Sequence, residues 1–161
     1  MITMLEEILR ETMRARGLTL ATAESCTGGL VSDRITNVSG SSEYFPGGIV
    51  AYSYEAKASL LGVSWTTLNT HGAVSEQAVL EMARGARNLF DADIAVSVSG
   101  IAGPTGGTPE KPVGTTWFGF SARDGEWSRH LVWDGDREQN KHYSSEAALQ
   151  LVIDYLEGKL S

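Results

Sequence analysis

A single cysteine, three histidines and no apolar run approaching the roughly 20 residues needed to span a bilayer mark what this 161-residue chain lacks. Cys26 alone cannot close an internal disulfide, so a reducing, cytoplasmic setting is the simplest reading. His71, His130 and His142 fall in a loop, a strand and a helix, and none has the setting of a catalytic base. There is no His/Cys cluster and no calcium-loop carboxylate run, so no metal and no cofactor is expected. Cations are scarce: 13 Lys and Arg against 20 Asp and Glu give a formal net charge of −7. That balance argues against a nucleic-acid binder but allows a small anion held by one or two local cations and backbone N–H groups. The stretch Met1–Arg10 carries acids where a secretory signal carries bases. With 42% hydrophobic and 20% charged residues, the chain is expected to form one soluble domain over 1–161.

Leu5, Ile8, Leu9 and Met13 recur at helical spacing, predicting a helix over Leu5–Arg16 that stops at Gly17. Leu18–Glu24 reads as a strand, Gly28–Asn37 as a helix, Ser39–Ser42 as a loop, and Tyr44–Tyr52 as a strand broken at Pro46-Gly-Gly48. Ser53 is placed to cap a short helix ending at Gly62. Beyond His71-Gly-Ala-Val-Ser75, the apolar stripe Val79, Met82, Ala86 and Leu89 predicts a longer helix. Ile94–Ser99 reads as a buried strand and Gly100–Gly114 as a loop. Thr115–Ala122 and Trp127–Trp133 read as strands joined through Asp124-Gly125, and Glu138–Leu156 as the last helix. Helices alternating with the first strands, then a hairpin, predict an α/β chain: a three-layer α/β/α sandwich with a mixed, mostly parallel sheet.

The stretch Ala21-Thr-Ala-Glu-Ser-Cys-Thr-Gly-Gly29 holds the strongest chemical signal. A strand turning sharply into a helix there leaves Ser25 beside free backbone N–H groups, which suit an oxyanion or a phosphate. Ser25 or Thr27 could equally cap the helix. Cys26 could compete as nucleophile or be a small buried hydrophobe. Lys57, early in the helix capped by Ser53, becomes a base if burial and the helix dipole lower its pKa; otherwise it is a solvated lysine. The glycine-rich Ser99–Gly114 segment follows a buried strand, where α/β proteins place ligand loops, but it matches neither a Walker A nor a dinucleotide fingerprint. Arg137, beside the candidate cap Asp136, suits a phosphate or carboxylate, or a surface ion pair.

Taken together, Thr22-Ala-Glu-Ser-Cys-Thr-Gly-Gly29, Tyr52-Ser-Tyr-Glu-Ala-Lys57, Gly72-Ala-Val-Ser75, Ser99-Gly-Ile-Ala-Gly-Pro104 with Lys111-Pro-Val-Gly114, and Gly135-Asp-Arg137 resemble the CinA C-terminal domain family over nearly the whole chain. The family includes nicotinamide-nucleotide amidohydrolases, which convert nicotinamide mononucleotide to nicotinate mononucleotide and ammonia. The resemblance implies a metal-independent serine–lysine amidase. Ser25 would be its nucleophile, Lys57 its base and Tyr52 a helper orienting the lysine or the serine hydroxyl. It places Thr27, Gly28 and Gly29 where the turn holds the serine and donates to the oxyanion. Gly100, Ala102, Gly103, Thr105, Gly106 and Gly107 would line the nucleotide pocket, and Arg137 would meet a phosphate or the transition state.

Some positions depart from the pattern. Tyr54 stands where the family commonly has Asn, and Gln139-Asn-Lys-His142 stands where relatives are richer in arginine. Larger CinA proteins carry a further N-terminal domain, so the stand-alone form is expected. A homo-oligomer is expected too, with Trp65 or Trp127 at an interface or in the core. A non-catalytic nucleotide-binding or partner-docking domain, or an amidase for another small amide, are the alternative functions.

Overall fold

The computed structural model describes residues 4–160, so Met1–Thr3 of the acid-bearing start and Ser161 lie outside the described residues. The elements in order are α1 (Leu5–Arg16), β1 (Leu20–Glu24), α2 (Leu30–Thr36), β2 (Gly47–Val50), α3 (Tyr54–Leu61), α4 (Trp65–His71), α5 (Glu76–Leu89), β3 (Ile94–Gly100), β4 (Thr115–Ala122), β5 (Gly125–Val132) and α6 (Arg137–Leu156).

The two central strands alternate large and small side chains, and that alternation builds the layers. Leu20, Ile94, Val96 and Val98 join Leu9 and Met13 of α1, Val31 and Ile35 of α2, and Leu149 and Val152 of α6 in one apolar cluster. Ala21, Ala23 and Ala95 join Leu61 of α3, Leu68 of α4, and Val79, Met82 and Ala86 of α5 in another. The sheet therefore lies between two helical layers, as expected. Small residues let α5 approach closely: a β-carbon on Gly119 would overlap the Val79 carbonyl, and one on Gly85 would overlap the Leu61 carbonyl. Arg34 of α2, nearly buried, locks the other layer; it donates to Glu6 at 2.6 Å, to Ser145 at 2.9 Å and to Glu146.

The strand order is β2-β1-β3-β4-β5. β1 runs parallel to β2 and β3, while β4 is antiparallel to β3 and β5, so β4 alone runs against the rest. The carboxyl ends of β1, β2 and β3 thus open on one edge of the sheet, where open α/β sheets carry their ligand sites. No helix among the described residues is long and apolar enough to cross a membrane.

Several local expectations change. The strand expected over Tyr44–Tyr52 is only Gly47–Val50, because Ser41–Glu43 forms a 3-10 turn closed by the Tyr44 N–H, and Pro46 has no N–H to donate. The hairpin turn is Arg123-Asp124, not Asp124-Gly125: Gly125 already pairs with Ala122. Its missing side chain makes room for the Trp127 ring, 2.8 Å from where a β-carbon would stand. Leu89, assigned to the apolar stripe, is 55% exposed at the last position of α5. His71 closes α4, a helix the periodicity does not reveal and Ser64 caps. Trp127 packs against Phe120 and Tyr155, whereas Trp65 is half-exposed.

Gly85→Ala tests the close α3–α5 packing. Helix propensity alone favours alanine by about 1 kcal/mol. The overlap with Leu61 is expected to override it, lowering the unfolding free energy by about 1–3 kcal/mol in urea denaturation. A stabilised variant would show that the helices are not held at this distance.

Candidate active site

β1 continues its pairing one residue past Glu24: the Ser25 N–H donates to the Val98 carbonyl at 3.0 Å. The chain then turns. The Gly28 N–H returns to the Ser25 carbonyl at 3.1 Å, and Gly28 (φ 61°) and Gly29 (φ 107°) take left-handed conformations that side chains rarely adopt. Gly29 cannot cap α2 with a side chain, and neither Ser25 nor Thr27 does so. The carboxylate of Glu24 does it from the strand. It accepts from the Val31 N–H at 2.9 Å, the Ser32 N–H at 3.0 Å and the Thr27 and Ser32 hydroxyls at 2.6 Å each. Four donors satisfy a carboxylate that is 1% exposed. The sequence alone assigned Glu24 no role.

Ser25 and Glu24 point to opposite faces of the sheet, as neighbours in a strand do. Ser25 therefore faces α3, where the Lys57 Nζ meets its Oγ at 2.9 Å. The same Nζ donates to the carbonyls of Ala51 at 2.9 Å and Tyr52 at 3.1 Å. Lys57 is 1% exposed and has no carboxylate partner among the described residues. Burial pushes its pKa down to about 8. A neutral amine has two N–H bonds and one lone pair. With both N–H groups on carbonyls, the lone pair is left facing the Ser25 hydroxyl. Ser53 sets this up by capping α3 through the Ala56 N–H at 3.0 Å.

The other expected residues divide. The Tyr52 side chain is 62% exposed and its hydroxyl accepts from Arg137 at 3.1 Å, so its hold on Lys57 runs through its backbone carbonyl, not its phenol. The Gly28 N–H is used within the turn, and the Thr27 hydroxyl is buried on Glu24; among the described residues the N–H groups of Thr27 and Gly29 have no protein acceptor. Cys26 packs in the apolar core, and burial pushes its thiol up to about 12, which removes it as a nucleophile at neutral pH. None of the histidines bonds to Ser25; His130 stacks on Trp117.

In the glycine loop, the Ala102 and Gly103 carbonyls are held by Asn140 at 3.0 Å and Arg137 at 2.8 Å. Those two contacts tie the loop to the start of α6, and Asn140 was not anticipated. Gly100 ends β3, with the Thr116 hydroxyl 2.8 Å from where its β-carbon would stand. Thr105, Gly106 and Gly107 are exposed. Gly106 lines a cavity of about 280 Å³ with Tyr54, Ile101 and Lys111. A larger cavity, about 470 Å³, lies between α3 and α4 and contains none of the expected site residues.

The profile of the CinA C-terminal domain family matches residues 2–156. The nicotinamide-nucleotide amidohydrolase PncC of Escherichia coli K12 is 51% identical over 149 residues, covering 92% of this chain and 90% of that protein. A CinA-like protein of Salinibacter ruber is 47% identical over 146 residues, covering 91% of this chain but only 35% of its own length; the chain spans about a third of that longer relative. The solved structure of competence damage-inducible protein A from Klebsiella pneumoniae matches with a TM-score of 0.92 at 37% identity, over 95% of both chains.

Glu24→Gln is expected to damage the turn although it conserves shape. Its amide nitrogen cannot accept the two donors that one carboxylate oxygen now takes, leaving buried donors unsatisfied at about 1–3 kcal/mol. Denaturant unfolding measures the loss; an unchanged midpoint would show that Glu24 is not what holds the turn.

Proposed function

The chain belongs to the CinA C-terminal domain family, and on that premise we propose that it hydrolyses the carboxamide of nicotinamide mononucleotide to nicotinate mononucleotide and ammonia, with Ser25 as nucleophile and Lys57 as its base. The observation that carries the serine–lysine assignment is the buried Lys57 amine, 2.9 Å from the Ser25 hydroxyl and held by two carbonyls. The amidohydrolase name of the Escherichia coli relative supports the reaction.

In this reading the Lys57 lone pair takes the Ser25 proton as Oγ attacks the carboxamide carbon. The carbonyl π electrons move to oxygen, and the free N–H groups of the Thr27–Gly29 turn stabilise that oxyanion; one such donor is worth on the order of 3 kcal/mol in the barrier. The tetrahedral intermediate collapses, the C–N bond breaks, and the Lys57 ammonium protonates the departing nitrogen to ammonia. The nicotinoyl ester on Ser25 is then attacked by water. Lys57 takes a proton from the water and returns one to Oγ as the acid is released. The pyridinium charge of the substrate makes its amide electrophilic, and a neutral lysine does not repel that cation. The buried amine thus suits this substrate in both the proton it removes and the charge it does not carry.

Ammonia release from nicotinamide mononucleotide tests the reading. Ser25→Ala and Lys57→Ala are each expected to lower kcat by at least about 10³-fold. In the wild type, Lys57 is protonated below its pKa of about 8 and holds no lone pair. The rate is therefore expected to rise about tenfold per pH unit below that value and to level above it. Undiminished turnover by Ser25→Ala would remove the serine from the mechanism.

A further inference from the structure

The chain has 13 lysines and arginines, and all of them lie within the described residues. Seven pair with carboxylates: Arg10, Arg14, Arg34, Arg84, Arg123, Arg129 and Lys159. Five more donate to carbonyls or hydroxyls: Arg16, Lys57, Arg87, Lys111 and Arg137. Lys141 is the remaining one. Among the described residues it has neither a hydrogen-bond nor an ion-pair partner, in a protein with seven more acids than bases.

Lys141 is also half-buried. Its Nζ lies 3.7 Å from where a β-carbon on Gly28 would stand, against the turn that carries Ser25. The polar side chains that share its small cavity are bonded elsewhere: the Thr116 hydroxyl donates to Gly114, the Ser144 hydroxyl to the Asn140 carbonyl, and the Asn140 amide spans Ala102 and Gly135. One helical turn earlier on α6, at the i, i+4 spacing that puts two side chains on one face, stands Arg137. Arg137 donates to the Gly103 carbonyl and to the hydroxyl of Tyr52, the residue whose carbonyl holds the Lys57 amine.

From this placement we infer that Lys141, with Arg137, forms the anion site for the 5′-phosphate of the nucleotide substrate, an inference that rests on the proposed reaction for the identity of the anion. The phosphate supplies the partner that Lys141 lacks among the described residues. It also gives the enzyme a means to prefer a nucleotide over the corresponding nucleoside, because the scissile amide is the same in both. Arg137, already fixed by two neutral acceptors, presents its remaining N–H groups with no carboxylate partner among the described residues.

The test compares nicotinamide mononucleotide with nicotinamide riboside, which lacks the phosphate, in the wild type, Lys141→Met and Lys141→Arg. Lys141→Met is expected to lower the ratio of the two kcat/KM values by about ten- to a hundredfold, chiefly through KM for the nucleotide, and Lys141→Arg to restore most of it. Inorganic phosphate should compete with the nucleotide in the wild type and lose that effect in Lys141→Met. An equal fall on both substrates would move Lys141 to the reacting end, and an unchanged ratio would remove it from the site; either overturns the inference. Calorimetric binding of nicotinate mononucleotide against nicotinate riboside needs no turnover. A phosphate-dependent affinity that Lys141→Met abolishes, in an enzyme that releases no ammonia, would uphold the anion site and defeat the proposed reaction. Equal affinities in the wild type would defeat the anion site alone.

Discussion

A lysine amine buried without a carboxylate is the constraint on which the candidate site depends. In water that amine is protonated; here its charge has no counterion among the described residues, and burial shifts it toward the neutral form. The neutral form still needs acceptors for its two N–H bonds, and the backbone supplies them where β2 leaves the sheet. The Ala51 N–H extends the ladder to the Glu24 carbonyl at 2.8 Å, which brings Ala51 and Tyr52 alongside Ser25. Two carbonyls from one strand end and one hydroxyl from its neighbour complete the environment of a single nitrogen.

The strand's period of two keeps this arrangement from cancelling itself. Glu24 and Ser25 are adjacent in sequence, yet the carboxylate works on the α2 side and the hydroxyl on the α3 side. On the same face as Lys57, Glu24 would pair with it and raise its pKa, ending its use as a base. On the opposite face the carboxylate closes the turn that presents the hydroxyl. The glycines complete the device by accepting the left-handed conformations the reversal needs. The start of α6 then holds the glycine loop through Asn140 and Arg137, and Arg137 also bonds Tyr52, so the helix that anchors Arg34 from the core layer also borders the site.

Much of this was legible in the chain. The caps Ser53 and Asp136 and the stops Gly17 and Gly62 are local signals, and the elements stand where they place them. The importance of Ser25 and Lys57 was legible chiefly through the family resemblance, because their separation of 32 positions follows no spacing rule that brings the two side chains together. Glu24, Asn140 and the backbone role of Tyr52 were not legible. Each depends on which tertiary neighbour a polar atom meets, and a side chain's type does not reveal that its carbonyl is the working group. The edges of β2 and the Arg123-Asp124 turn shifted for the same reason: strand pairing and the Trp127 ring decided them.

Direct titration of the Lys57 side chain by heteronuclear NMR, on protein carrying labelled lysine and assigned with Lys57→Met, tests the central claim most closely. The account predicts a midpoint of about 8 for the Lys57 Cε and Nζ resonances, with the Nζ signal still sensitive to Ser25→Ala. A midpoint at the ordinary lysine value of about 10.4 would mean that the amine stays charged at working pH and cannot accept the serine proton, and the account would be wrong.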